Sequence, residues 1–596
     1  MPEHVTADQV VHSSRLASLT AVVRRGFAVG RLHARRRWAV ATLALILLAA
    51  LGLRMLWSHN GLPYLHHWDE PRIANNALRM LQTGDFNPHF FHYGSLLIYL
   101  DLGVDVLHYL RLAGKPEGHP DALGSLRELR VGAPGGWQWQ VSHPTFYLWN
   151  RWLTSAFGAG CALVAFLLAR SLGGPRTALL AAFVVATVPF HVEQSARVTT
   201  AVPSSFFALS AAWLAVEFLR RAAPGFLVAA FACVGAAASM KYNAAVALVV
   251  PLTALAYAQV RNAPAYRWWL WPSMALVPVV FLLGSPYALI DLPSFLEDAG
   301  YEVRHYLVRG HGESSVEPGL PHLAVQLAEI LRHCGWSVCI VAALGLLTLL
   351  GRPLGVIAFS LPALQLWMTS RTTVGFHRNV VLVYPFLAIA FGLGATWLMD
   401  GLISRIEAGR LRRAFRTAVV AAMALFVVHR SVAAVEQSWR AGTTVETRSA
   451  AVSRLNHLLR EGDGPARVLV SSELRVHPHD LARLRLPYEE RPLLEIACRP
   501  PERSVVLVPG RVSAGGARRE EAHRLNLLLE EGGEILATVG RERPLSLEQY
   551  ARNPVVQIRR EWNPPELTAD VSPRCATADR TAAPAAVMAA RAPRKQ

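Results

Sequence analysis

The stretch HWDEPRIANNALRMLQTGDFNPHFFHYGSLLIYL, residues 67–100, decides how this chain is read. It sets two adjacent acids, Asp69 and Glu70, just beyond the first long apolar run at residues 38–57. That run is about 20 residues long, which is what a helix rising ~1.5 Å per residue needs to cross ~30 Å of hydrocarbon. Arg24, Arg25, Arg31, Arg35, Arg36 and Arg37 precede it, and inside segments carry the excess of arginine. The acids are therefore expected at the extracytoplasmic mouth of a membrane bundle. No small-residue cleavage site follows the run, since Trp57, His59, Leu62 and Tyr64 come next, so it reads as a span and not as a cleaved signal.

Composition agrees with this reading. The chain has 596 residues, 52% of them hydrophobic and only 17% charged, too apolar for a soluble protein of several domains. Further apolar runs lie at 148–169, 177–189, 204–219, 226–239, 244–258, 269–283, 335–350, 355–368, 380–398 and 417–428, for about eleven spans. Counted from an inside N-terminus, each cytoplasmic connection carries arginine: Arg170 and Arg176, Arg220 and Arg221, Arg261 and Arg267, Arg352, then Arg405 to Arg416. The opposite connections are longer and hold most of the acids, histidines and tyrosines, which makes the outside the working face. The net charge of +18 is thus spread over short loops beside lipid headgroups, and nucleic acid is not an expected partner.

The expected organisation is a basic cytoplasmic tail at 1–37, a transmembrane unit at 38–430 with a first outer loop at 58–147, an α/β unit at 431–572 and a disordered tail at 573–596. The odd span count puts the α/β unit outside, with strands expected at 468–471 and 505–508 and helices at 449–460 and 518–531. In the first outer loop, Glu70-Pro71 reads as a helix start and Gly84 as its stop, with Ile73, Ala74, Ala77, Leu78 and Leu81 on one face. A second interfacial helix is expected at 95–110, because Asp101, Asp105 and His108 would be costly facing lipid. Residues 113–136 read as a disordered insertion. Cys161, Cys233, Cys334 and Cys339 look like core residues, and Cys498 and Cys575 are the pair that could form an outer disulfide.

The acids of the opening stretch can act as helix caps, or as bases beside a closed cavity. The neighbouring Tyr64, His66, His67, Trp68, Phe90, Phe91, His92 and Tyr93 favour a ligand cavity. Lys241, in SMKYNA, reads equally well as a lipid-phosphate contact or as a snorkelling lysine. His377 and Arg378, before the run at 380–398, form a second cationic pair on the same rim, and guanidinium suits a phosphate. The loop at 284–313 adds Tyr287, Tyr301, His305 and Tyr306, a mixture that suits sugar binding and also any interfacial loop.

Several motifs in order now carry a resemblance: HWDEP with NPHFFHYGSLLIYL, Arg151 opening the second span, SARVTTAVP, SMKYNA, GSPY with HYLVRGHG, and FHRNVVLVYPFLA. Across residues 38–397 the chain resembles polyprenyl-phosphate-dependent glycosyltransferases of the GT-C superfamily, in particular the group of protein O-mannosyltransferases and aminoarabinose transferases. The resemblance implies a GT-C-like bundle and a sugar donor carried on polyprenyl phosphate. It implies an acceptor outside the cytoplasmic membrane of a bacterium, be it protein, lipid or glycan, and transfer with inversion. It places Asp69 at the active site, with Glu70 beside it, and suggests Lys241, Arg378, His377, His92, Tyr93, Tyr287 and His305 as donor contacts. Two departures stand out. Where the family often has an acid after paired threonines, this chain has Thr199-Thr200-Ala201, and Trp68 and Gly94 replace frequent prolines. Ala201 could signal altered acceptor use, a non-catalytic lipid-binding relative, or compensation by Glu193 or Glu70. Asp69 and Glu70 could meet a divalent cation, yet two acids without further spaced ligands do not define a metal site. A transporter or lipid flippase is the rival reading, but such proteins place charges inside their spans and show repeated halves, and neither is visible here.

Overall fold

The computed structural model describes residues 37–116, 119, 122–132, 141–261, 268–402, 409–459, 467–498, 504–514, 518–541, 543–546 and 553–560. The tails at 1–36 and 573–596, positions 117–118, 120–121 and 133–136 of the expected insertion, and Cys575 with its suggested disulfide lie outside these residues.

Each apolar run becomes helix. Among the described residues, seven helices are long and apolar enough to cross a membrane: 37–57 (α1), 145–173, 201–221, 242–261, 353–370, 383–400 and 413–443. Two further candidate spans are bent pairs. Pro175–Thr187 turns by 64° into Pro189–Ser195, where Pro189 cannot continue the hydrogen-bond ladder. Leu320–Cys334 turns by 114° into Trp336–Leu347 across Gly335, whose φ of 82° favours a residue without Cβ. The shorter apolar helices Pro224–Met240 and Leu270–Gly284 complete the eleven segments expected from hydropathy. The chain is a multi-pass membrane protein. Apolar side chains on the first and last helices stand open as lipid contacts require, with Leu45 and Leu48 on one, and Leu425 and Val428 on the other.

Within the first loop, helix α2 (Asp69–Thr83) buries Ile73, Ala74, Ala77, Leu78 and Met80, and Gly84 ends it in the left-handed conformation. Helix α3 (Leu96–Ala113) turns Asp101, Asp105 and His108 inward against the second span, where Asn150 donates to Asp105 at 3.1 Å. Part of the expected insertion is ordered. Gln82 donates to the carbonyls of Leu126 and Leu129, and Leu123 and Leu129 are buried. The final span runs on to Thr443, so the α/β unit begins at Thr447. Its five-stranded sheet has the order 488–491, 467–471, 504–509, 556–560, 534–539. The first three strands are parallel and the last two antiparallel. Two expected strands and two expected helices are present. The strand Tyr488–Arg491, too charged to read as one, joins them at an edge. Cys161 and Cys334 are buried in the membrane core, and Cys233 and Cys339 pack beside it.

Candidate active site

Three separated motifs meet at one end of the bundle. Gly94 lies so close to the backbone of Ser239 that a Cβ there would sit 2.1 Å from the Ser239 carbonyl oxygen, an approach open to glycine alone. Ser285 ties the same point together, because its hydroxyl accepts from the Ser95 N–H at 2.9 Å and lies 2.8 Å from that of Ser239. The Tyr242 hydroxyl reaches the carbonyls of Phe91 at 2.8 Å and Tyr93 at 2.9 Å, and donates its one proton to either. HYGS, SMKY and GSPY thus form one wall.

Beside that wall lies a cavity of about 460 Å³. Phe295, Val303, Leu307 and Met368 give it an apolar side, while His92, Tyr93, Lys241, Glu302, Tyr306 and Asn379 give it a polar one. Such a division suits a ligand with a hydrocarbon part and a polar head. Lys241 Nζ donates to Asn379 Oδ1 at 3.0 Å, and Gln365 steadies Asn379 through its carbonyl at 3.1 Å. Burial, helped by nearby Arg378 and opposed by Asp69 and Glu302, pushes the Lys241 ammonium down to about 8. His92 Nδ1 is fixed 2.9 Å from Glu302.

Asp69 opens α2 at the edge of this group. Its Oδ2 lies 3.4 Å from Arg378 Nε, and the guanidinium rests over the Phe376 ring with its carbon 4.0 Å from the centroid. Burial pushes the Asp69 carboxyl up, but Arg378, His67, Arg72 and Lys241 together outweigh it and hold the group below its ordinary value. The Asp69 N–H donates to His67 Nδ1 at 3.2 Å, which requires a neutral ring, and burial drives His67 down to about 4. Asp69 therefore stands ionised at neutral pH, facing a guanidinium and close to the half-buried Lys241.

Glu70 has a different place. It is fully buried, and Arg151 grips it with two hydrogen bonds of 2.7 and 2.8 Å, while the Val198 N–H donates to it at 3.0 Å. The remaining guanidinium nitrogen of Arg151 donates to the carbonyls of Ser58 and Asn60. One ion pair thus fastens the acidic loop, the second span and the SARVTTAVP segment together. Glu70 is turned away from Asp69 because consecutive helical residues point about 100° apart.

The arrangement has relatives. A family model described as dolichyl-phosphate-mannose-protein mannosyltransferase matches residues 128–302. The crystal structure of ArnT from Cupriavidus metallidurans in the apo state is similar at a TM-score of 0.51 and 13% identity, over 88% of this chain and 98% of that one. The chain has the GT-C fold. Other GT-C structures resemble it more loosely. One is ArnT bound to undecaprenyl phosphate, with a TM-score of 0.49, 14% identity, and 87% and 98% coverage. Another is the archaeal oligosaccharyltransferase AglB from Archaeoglobus fulgidus with an inhibitory peptide and a dolichol-phosphate, at 0.43, 14%, and 75% and 64%. No curated protein matches in sequence.

In this chain the expected site residues separate into groups. Lys241, His92 and Tyr93 line the cavity, and Asp69 and Arg378 pair at its edge. His377 turns to Glu329, with Nδ1 3.5 Å from the carboxylate. His305 stacks on Tyr301 with centroids 5.8 Å apart, and Tyr287 opens the short helix Tyr287–Ile290; neither lines the cavity. Glu193 pairs with Arg197 at 2.7 Å, and Ala201 is buried at the head of its helix. Tyr306, noted in the loop at 284–313, lines the cavity, and so do Glu302 and Asn379, which the sequence did not single out. Asn379 directly follows the Arg378 it stands with, which is the signal that could have found it. Among the described residues no group of three His, Cys, Asp or Glu could hold a metal ion.

Proposed function

We propose that this protein is an integral-membrane glycosyltransferase that moves a sugar from a polyprenyl-phosphate donor to an acceptor on the extracytoplasmic side. The observation that carries this reading is Asp69 set against Arg378 beside a half-apolar cavity lined by the half-buried Lys241. The GT-C fold and the mannosyltransferase family match support it. A polyprenyl chain suits the apolar side of the cavity, and Lys241 and Arg378 suit its phosphate. Asp69 orients the acceptor hydroxyl or amine and takes its proton as the acceptor atom attacks the anomeric carbon. The carbon–oxygen bond to phosphate breaks, its electron pair leaves with the phosphate, and the cations stabilise the charge that develops there. Attack opposite the leaving phosphate inverts the anomeric centre. Glu70 acts as a positioning residue through its grip on Arg151, and His92 and Tyr93 face the donor.

The deciding experiment presents the protein, reconstituted in vesicles, with labelled polyprenyl-phosphate hexoses and pentoses, aminoarabinose included, and membrane extract as acceptor. A transferase releases free polyprenyl phosphate and moves label to the acceptor. Label that crosses the bilayer on an intact lipid would instead establish a flippase and overturn the reading.

A pH dependence follows from Lys241. Below pH 8 its ammonium is available to the phosphate, and above pH 8 it is progressively neutral, so the donor KM is expected to rise with pH from about that point. Lys241→Arg keeps its charge throughout and should flatten this alkaline limb. A donor KM that stays level from pH 7 to 10 in the wild type would remove Lys241 from the phosphate site.

A further inference from the structure

The α/β domain reaches the loop that carries Asp69 through one buried side chain. Tyr64 lies five residues before Asp69 and is fully buried. Its hydroxyl donates to Asp480 Oδ2 at 2.9 Å and accepts from the His477 N–H at 3.1 Å. Asp480 is held in turn by the Ser449 hydroxyl at 2.5 Å. The Arg448 guanidinium lies over the Tyr64 ring, 4.8 Å from its centroid, and is itself paired with buried Glu446 at 2.6 Å. Around this knot, Asn60 donates to the Ala441 carbonyl at 2.9 Å, and His477 Nε2 contacts the Val141 carbonyl at 3.1 Å. A buried tyrosine hydroxyl with both hydrogen-bond roles filled, under a guanidinium, fixes its backbone far more tightly than apolar contact alone.

Within this segment Leu65 packs into the apolar cluster beneath α2, and polar restraints hold its two ends. Arg151 holds the carbonyls of Ser58 and Asn60 on one side and Glu70 on the other. Between them, the Tyr64 side chain is gripped by Asp480, the His477 N–H and Arg448, all from the α/β domain. We propose that the α/β domain sets the position of Asp69 by clamping Tyr64, which makes Tyr64 a positioning residue for transfer. This rests on the assignment of Asp69 above. Displacing a reacting group by about 1 Å costs on the order of 100-fold in rate. Loss of one of several restraints costs less, and a kcat about tenfold lower is expected, with the donor KM within about twofold because the cavity residues stay in place.

The test compares full-length wild type, Tyr64→Phe and Leu525→Ala in nanodiscs. Tyr64→Phe removes one hydroxyl and keeps the ring under Arg448. Leu525→Ala weakens the core on the other face of the same sheet, which does not touch the loop. In Tyr64→Phe, amide hydrogen exchange in the peptide spanning residues 61–70 is expected to accelerate, and kcat to fall about tenfold on whichever donor the wild type consumes. In Leu525→Ala the melting temperature falls while exchange in that peptide and kcat hold. Should Tyr64→Phe fail to accumulate, Ser449→Ala loosens the same Asp480 from within the domain. Unchanged exchange in residues 61–70, or faster exchange with wild-type kcat, would overturn the proposal. If the wild type consumes no donor, the functional reading falls, and the exchange measurement still decides whether the domain clamps the loop.

Discussion

Asp69→Asn is expected to reduce transfer by about 100- to 10,000-fold while the melting temperature stays near that of the wild type. The change removes one negative charge and the proton-accepting oxygen but keeps the shape of the side chain. Asp69 makes one ion pair, to an Arg378 that is itself partly open at 22% side-chain exposure, so little fold stability depends on it. The neutral amide also frees Arg378 for the donor phosphate, so the donor should bind at least as well. A falling kcat with a steady or lower donor KM is the signature of a group that works on the acceptor. Because its cationic neighbours hold Asp69 below the ordinary carboxylate range, its ionised form persists where an ordinary aspartate would protonate, and the acid limb of kcat should lie below that range. A low-pKa carboxylate is a weak base toward a resting hydroxyl. It accepts the proton late, once attack on the anomeric carbon has made that hydroxyl acidic. Asp69→Asn retaining wild-type kcat would remove the base from the proposed mechanism.

Much of this architecture is legible in composition alone, for a physical reason. A bilayer demands about 20 apolar residues per crossing and helical backbone within it, so hydropathy reports spans directly, and one half of each bent pair still appeared as an apolar run. The paired acids were legible as a feature and only half legible as a site. Asp69 and Glu70 look equivalent as letters, but helical geometry sends neighbours to different faces, and Glu70 could have been matched to Arg151 as a counter-charge inside an apolar run. The clamp on Tyr64 was not legible. Its partner Asp480 is 416 residues away, and nothing local marks a tyrosine as bonded across that separation. Likewise the edge strand Tyr488–Arg491 carries charges on every residue but the first, and only its parallel pairing with Arg467–Ser471 makes it a strand.

Arg151→Met and Glu70→Gln are expected to fail for a reason opposite to that of Asp69→Asn. Both groups are essentially excluded from solvent, and removing one partner of a buried, hydrogen-bonded pair leaves the other as an uncompensated charge, at a cost of about 3–5 kcal/mol. Arg151→Met carries the larger penalty, because it strips Glu70 of two hydrogen bonds and also frees the carbonyls of Ser58 and Asn60. Glu70→Gln keeps one acceptor oxygen for the guanidinium and loses less. In the double variant neither charge remains, so its melting temperature should lie above that of Arg151→Met, and the cycle reports their coupling. Burial raises the Glu70 carboxyl, but Arg151 and the Val198 N–H more than offset this and hold it below its ordinary value. The pair's stabilisation is therefore complete above the ordinary carboxylate range and is lost only as pH falls through the lowered value. Activity falls in these variants because the loop before Asp69 is released, so its loss should track the fall in melting temperature. Arg151→Met with wild-type stability and no turnover would instead place Arg151 in direct contact with substrate, and the division between the acid that acts and the acid that holds would fail.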